Sequence, residues 1–435
     1  MRRSIFKKHH LSGFALLIAK LFGCDLSVRN RQSEHKWFKL IALSLVIVLT
    51  TAALTIHYSW EPPLVSPLVR GSWLTFSNRP QLSLLDSQSP SANRVIYGFL
   101  PYWNLEQVVI QPELTHLSYF GLNINSDGSI VTKDQDGNTH PGYNKFDSDE
   151  LLALINQATE KYNAQFELAL IQFENESIEK LANNPEAHQT LIKTIDSILL
   201  SAPISGINID IEYNGEADQK LRENFAQLVE TISSHLDQKF DHVTLSIDMY
   251  ASASNNKQLW DVPRISRAVD YVVVMAYDFH RRGSSQAGPV APLFGGKNKW
   301  DTDIHQHLVE YLKYVPREKV VLGLPFYGYG WQTESRSPQA NSFPNTGFTA
   351  TYQSVQEILA DKKRNQVQTG WDDHALCPYL SYIEDDKIYM IYYEDVTSIS
   401  YKLEYVKQLN LAGIAIWALG YEGQNRDLWD VVAKL

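Results

Sequence analysis

Eight short β-rich apolar runs, separated by segments of helical period, constrain this chain more than any other feature. They are Val95–Phe99, Leu117–Leu122, Phe166–Phe173, Gly206–Ile211, Val243–Met249, Tyr271–Ala276, Val320–Pro325 and Gly413–Trp417. Between the fourth and fifth, Leu221, Phe225, Leu228, Ile232 and Leu236 recur at spacings of four and three and form one apolar helical stripe. Ile304, Leu308, Tyr311, Leu312 and Val315 repeat the pattern before Pro316. Strands alternating with such helices predict an α/β fold, a parallel sheet with right-handed crossovers. Eight of them over residues 94–435 fit a closed (β/α)8 TIM barrel, which needs about 250 residues before insertions. The alternative is an open doubly wound sheet, but Pro101-Tyr102-Trp103 follows the first strand where that fold carries a glycine-rich phosphate turn. The surplus length, about residues 332–410, predicts a small α+β insertion between strands seven and eight that walls one side of a cleft.

The amino-terminal part reads differently. From Leu40 to Tyr58 no side chain is charged, and these nineteen residues approach the about 20 that a helix needs to cross a bilayer. A buried core helix normally alternates with polar positions, and this segment does not. Residues 1–39 hold nine Lys or Arg against Asp25 and Glu34, an asymmetry that keeps this end in the cytoplasm. The expectation is an uncleaved single-pass anchor in the cell membrane with the folded domain outside. The shorter apolar run Gly13–Gly23 is interrupted by Lys20 and suits a surface-lying helix. Residues 59–93, with five prolines and eight serines, read as a linker lifting the domain off the bilayer.

The basic lead contributes +7, so a net charge of −10 leaves −17 on residues 40–435. Such a surface is a poor partner for nucleic acid, whose phosphates need Lys and Arg to neutralise them. Cys24 and Cys377 match no redox or metal spacing, and the expected membrane separates them. The scattered histidines show no zinc spacing, so neither metal nor cofactor is implied.

Ser205-Gly-Ile-Asn-Ile-Asp-Ile-Glu212 alternates strictly, which puts Ile207, Ile209 and Ile211 on one face and Asn208, Asp210 and Glu212 on the other. Alternation alone would suit an antiparallel strand with one wet side. Parallel barrel strands have no wet side, because their outer face packs on helices, so the polar residues must point into the barrel. Two carboxylates on one strand face raise one another's pKa, which makes one a plausible acid near neutral pH. Glu212, nearest the carboxyl end of the strand, is placed to reach a substrate, and Asp210 to hold and polarise it.

This segment resembles the fourth-strand signature of glycoside hydrolase family 18, the chitinase-like enzymes, read as Asp-Gly-x-Asp-x-Asp-x-Glu. Met275-Ala-Tyr-Asp278 is similar to the family's sixth-strand motif, followed by Gly288-Pro-Val-Ala-Pro-Leu293. Lys319-Val-Val-Leu-Gly-Leu-Pro-Phe-Tyr-Gly328 resembles the seventh strand, and Trp417 the tryptophan flooring the sugar pocket. Ser205 and Asn208 depart from the pattern, each standing where it has Asp. Asn208 is similar to the spore-cortex and cell-wall N-acetylglucosaminidases of the family, and Ala169-Leu-Ile-Gln-Phe-Glu-Asn175 lacks the Ser-x-Gly-Gly of true chitinases.

The resemblance implies hydrolysis of β-1,4 bonds at N-acetylglucosamine residues in chitin, peptidoglycan or their fragments, by a retaining mechanism in which the substrate's own acetamido group is the nucleophile. Glu212 would be the general acid and base. Asp210 would orient the acetamido N–H, and the Tyr277 hydroxyl would bond its oxygen. Asn208, Met275, Asp278, Trp417, Phe99 and Tyr327 are the expected substrate-binding residues. In most of the family an Asp at position 208 shares a proton with the next Asp; an amide cannot, though Asn208 could still donate a hydrogen bond to Asp210. Tyr102, Trp103, Tyr329 and Trp331 suit sugar stacking or packing equally, and His280 suits a loop role. The expected partner is an N-acetylglucosamine-containing polysaccharide, met by a monomer. A catalytically silent, lectin-like barrel and a structural cell-envelope protein are the alternatives.

Overall fold

The computed structural model describes residues 94–201, 203–361 and 366–435. The expected basic lead, transmembrane anchor and linker, and Cys24, lie outside them. Among the described residues no helix is long and apolar enough to cross a membrane.

The first seven apolar runs become β1 (Val95–Pro101), β2 (His116–Asn123), β3 (Gln165–Gln172), β4 (Gly206–Ile211), β5 (Thr244–Tyr250), β6 (Tyr271–Met275) and β7 (Val320–Pro325). Five more strands follow: β8 (Tyr327–Thr333), β9 (Phe348–Thr351), β10 (Gln368–Asp372), β11 (Cys377–Glu384) and β12 (Lys387–Tyr392). The eighth run is β13 (Gly413–Trp417). β1 to β7 and β13 pair in parallel and close, since β1 bonds both β2 and β13, which excludes the open sheet.

The helical stripes form the outer layer. Leu221, Phe225, Leu228, Ile232 and Leu236 are buried along helix Gln219–Lys239, whose first turn is capped by Asp218 accepting from the Leu221 amide at 2.7 Å. Phe225, Leu228 and Ile232 meet Ile209 and Ile211 of β4, with Leu191 of helix Pro185–Ser201 alongside. Burying each such side chain contributes roughly 1.5–3 kcal/mol. This outward packing of the isoleucines is what turns Asn208 and Asp210 into the barrel.

Strands β8 to β12 form a separate antiparallel sheet in the order β10-β11-β12-β8-β9, with helix Tyr352–Ala360 between β9 and β10. It begins at Tyr327, ahead of the boundary near 332, because Tyr327-Gly-Tyr-Gly-Trp is a buried strand in which glycine permits close approach. A Cβ on Gly328 would lie 1.9 Å from the Tyr392 carbonyl oxygen. The sheet ends at Tyr392; helix Val396–Leu409, which the expected boundary included, packs on β13 in the barrel's outer layer.

Candidate active site

β4 and β5 stand side by side, with inward Asn208 level with Ser246 and outward Ile209 level with Ile247. Asp210 and Asp248 occupy the next step, and Glu212 and Tyr250 the carboxyl ends. Together with Met275, Tyr277 and Asp278 after β6 and Trp417 after β13, they line a cleft of about 700 Å³ at the carboxyl end of the barrel.

Burial governs the charges here. It pushes the Glu212 carboxyl up; a hydrogen bond from Tyr250 and the charge of Arg281 oppose the shift, and Asp278 adds to it. Asp210 is pushed up by burial and then by the charges of Glu212 and Asp248. Asp248 is pushed up by burial, against the Asn208 N–H. The Tyr277 hydroxyl is raised by burial and these carboxylates, so it stays protonated and able to donate.

Asp278 takes up a left-handed backbone conformation, φ 63°, which Asp tolerates better than most residues. Its carboxylate accepts from the hydroxyls of Tyr327 and, at 2.9 Å, Tyr329, and Arg281 Nε lies 3.7 Å away. Across the cleft Trp417 meets Phe120 edge-on at 4.7 Å between ring centres, with Trp103 at 6.5 Å. Phe173 stacks on Phe120 at 6.3 Å. Trp103 and Phe173 are exposed at the cleft.

Below the carboxylates a second polar layer fills the barrel. The Tyr97 hydroxyl donates to Glu167 Oε2, as does Ser246 Oγ at 3.4 Å. His116 Nε2 lies 3.9 Å from Glu167 Oε1, within ion-pair reach. Burial nevertheless pushes Glu167 up to about 7 and His116 down to about 4, so both are neutral in between. Gly206 makes room for this layer, since a Cβ there would lie 2.8 Å from the Glu167 carboxyl.

Of the expected residues, Asp210, Glu212, Met275, Tyr277, Asp278, Tyr327 and Trp417 come together in the cleft. Asn208 and Phe99 do not line it. Asn208 is fully buried beneath the cleft, and Phe99 supports Trp417 from below at 5.9 Å between ring centres. Asn208 donates to Asp248 Oδ1 at 2.9 Å and Ser246 Oγ at 3.0 Å rather than to Asp210. Same-face residues on one strand are about 6.6 Å apart but neighbouring strands only about 4.8 Å, so the short amide reaches across. Trp331 is buried, donating to the carbonyls of Arg281 and Arg282, and His280 holds the Pro289 carbonyl at 2.9 Å. Asp248, Tyr250 and Arg281 were not expected. The signal for the first two stands in Thr244-Leu-Ser-Ile-Asp-Met-Tyr250, which alternates as β4 does. Among the described residues no group of three or more His, Cys, Asp or Glu is placed to hold a metal ion.

Comparison with known proteins bears on the same region. The Bacillus subtilis glycosylase YdhD is 27% identical over 252 residues, 57% of this chain and 54% of that protein. The chain thus spans about half the length of that relative. The cortical fragment-lytic enzyme of the same organism is 23% identical over 333 residues, 73% of this chain and 68% of its own. Among solved structures, the Group IV chitinase of Ostrinia furnacalis in complex with allosamidin superposes with a TM-score of 0.68 at 22% identity, covering 78% of this chain and 98% of that one. The family model described as glycosyl hydrolases family 18 matches residues 92–422, and this chain belongs to that family.

Proposed function

We propose that this chain hydrolyses β-1,4-glycosidic bonds at N-acetylglucosamine residues, with Glu212 as general acid and then general base. The observation that carries the reading is the position of Glu212: at the end of β4, lining the cleft, with burial pushing its carboxyl above the usual carboxylate range. Glu212 donates its proton to the glycosidic oxygen as the bond to the anomeric carbon breaks. The acetamido oxygen closes on that carbon while Asp210 accepts a hydrogen bond from the acetamido N–H, which stays on nitrogen, and the Tyr277 hydroxyl donates to the acetamido oxygen. Water, deprotonated by Glu212, then opens the ring with net retention. Trp417, with the aromatic side chains around it, floors the sugar site.

The names of the relatives support this substrate class from two sides, a cortical fragment-lytic enzyme and a chitinase bound to allosamidin. Asn208 and the third-strand departure favour a cell-wall polymer. We further read residues 40–58 as a single-pass anchor with the barrel outside the cytoplasm, on the strength of their nineteen uncharged residues and the basic lead. Carbonate extraction and protease protection of the full chain in membranes test that reading, and release by carbonate would overturn it.

The hydrolytic reading is tested with the purified full-length chain, N-acetylglucosamine oligomers and peptidoglycan, and the E212Q variant, following products by mass spectrometry. New reducing ends from the wild type alone support it and name the polymer. Equal binding without cleavage by both proteins would make the barrel a carbohydrate-binding module.

A further inference from the structure

Among the carboxyls of the cleft that the mechanism above leaves unused, Asp248 lies deepest in the barrel. Asp248 is buried on β5, one step past the Asn208–Ser246 and Ile209–Ile247 pairs, which puts it beside Asp210 on a strand about 4.8 Å away. Both side chains face the barrel interior and border the same cleft. Asn208 Nδ2 turns both its hydrogens to Asp248 Oδ1 and Ser246 Oγ. Oδ1 of Asp210 is buried with no hydrogen-bond partner among the described residues.

The groups around this pair are almost all acids or hydroxyls. Glu212 stands above it on β4, Tyr250 beside Glu212 on β5, and Tyr277 and Asp278 after β6. Glu167 on β3, held by Tyr97 of β1 and near His116 of β2, stands below. Arg281 lines the cleft as well, and its charge acts on Glu212. Two buried carboxyls so placed cannot both ionise, because like charges in a low dielectric push one proton back on.

We propose that Asp210 and Asp248 hold one proton between them, and that Asp248 is a positioning residue that takes it from Asp210 when positive charge develops on the substrate. In the free protein the Asn208 N–H favours the Asp248 anion, so the proton rests on Asp210. As the acetamido ring closes and becomes cationic, the anion is favoured on Asp210. The O–H bond on Asp210 then breaks, one forms on Asp248, and the pair keeps a single negative charge throughout. The partner acid comes from β5 because position 208 of β4 is an amide. The upward push on both carboxyls agrees with this. The timing of the transfer rests on the hydrolytic reading; the sharing itself does not.

Two measurements on the full-length chain separate these. Infrared titration of protonated carboxyls in wild type, D210N and D248N should show, beside the losses from Glu167 and Glu212 that persist, one high-pH proton loss that disappears from both variants. Separate losses, each variant removing its own and leaving the other in place, would overturn the sharing. Because D210N reads the same proton from the opposite side, a poorly folding D248N does not stop the test.

For catalysis, D248N leaves Asp210 ionised before substrate binds, so its attraction moves from the transition state to the ground state. KM and kcat on N-acetylglucosamine oligomers should fall together by about tenfold, and the acid limb of kcat/KM should move to higher pH, because Asp210 alone lacks the shared proton that stabilises the single negative charge. N208D/D248N returns an acid to Asp210's side and should regain most of the kcat. Unchanged kcat, KM and acid limb in D248N would overturn the catalytic role. A wild type that cuts no oligomer would sink the hydrolytic reading, while the infrared result still decides the sharing.

Discussion

The carboxyl of Glu394 and those of Asp210 and Asp248 are almost equally removed from solvent, yet only Glu394 has a cation of its own. Between β12 and the helix that begins at Val396, Glu394 Oε2 accepts from Lys402 Nζ at 2.6 Å, and both side chains are buried. Burial pushes the Glu394 carboxyl up and Lys402 opposes it. In the barrel the neighbours of Asp210 and Asp248 are an amide, hydroxyls and further carboxylates, which leaves a proton as the means of neutralising them. A buried acid matched by a cation can stay charged; one without a cation is neutralised by a proton that it can exchange.

The largest expected effect that sharpens this contrast is on the catalytic side. E212Q should lower kcat on N-acetylglucosamine oligomers by about 10²–10⁴-fold with little change in urea stability, since general acid catalysis is worth that much. The reverse holds at the other site. K402M leaves Glu394 buried without its cation and should cost about 3–5 kcal/mol in urea denaturation, whereas K402M/E394L should be close to neutral. Equal losses from the single and double variants would show that shape rather than charge matters there.

Glu167 gives a smaller, pH-dependent effect. Its carboxyl sits at about 7 in the fold against an ordinary 4.5, so its stabilising contribution is full below about pH 4.5 and is lost as pH rises to 7. E167Q should therefore gain stability relative to wild type between pH 5 and 8, by about 3 kcal/mol at 1.36 kcal/mol per unit. His116 runs the other way, its contribution being full above 6.5 and lost as pH falls through about 4, and it is common to both proteins. A stability difference that does not change with pH would mean that Glu167 is ionised in the fold. The smallest effect belongs to Arg281, which is largely exposed and screened. R281A removes a charge that holds the Glu212 carboxyl down, so the basic limb of kcat/KM should move to higher pH.

The eight barrel strands were legible to within a residue or two, because a strand buried on both faces is a continuous apolar run. β4 was legible down to its facing, since strict alternation inside a parallel barrel leaves polar residues only one way to point. β5 carries the same alternation, so Asp248 and Tyr250 were within reach of the same argument. The early start of the inserted sheet was hidden, because Tyr327-Gly-Tyr-Gly-Trp lacks β-branched residues and its pairing with β9 and β12 is non-local.

Periodicity in one dimension therefore decided the strands, the helix faces and the inward direction of Asp210 and Glu212. Which inward groups meet was decided only by closure of the barrel. Asn208 turns to Asp248, forty residues on, rather than to Asp210 two residues away, because the step between strands is shorter than two steps along one. Glu167 looks like an isolated polar residue in an apolar strand, and its partners Tyr97, Ser246 and His116 come from three other strands. Proton affinities in the barrel follow from those meetings and from burial, and neither is a property of any segment alone.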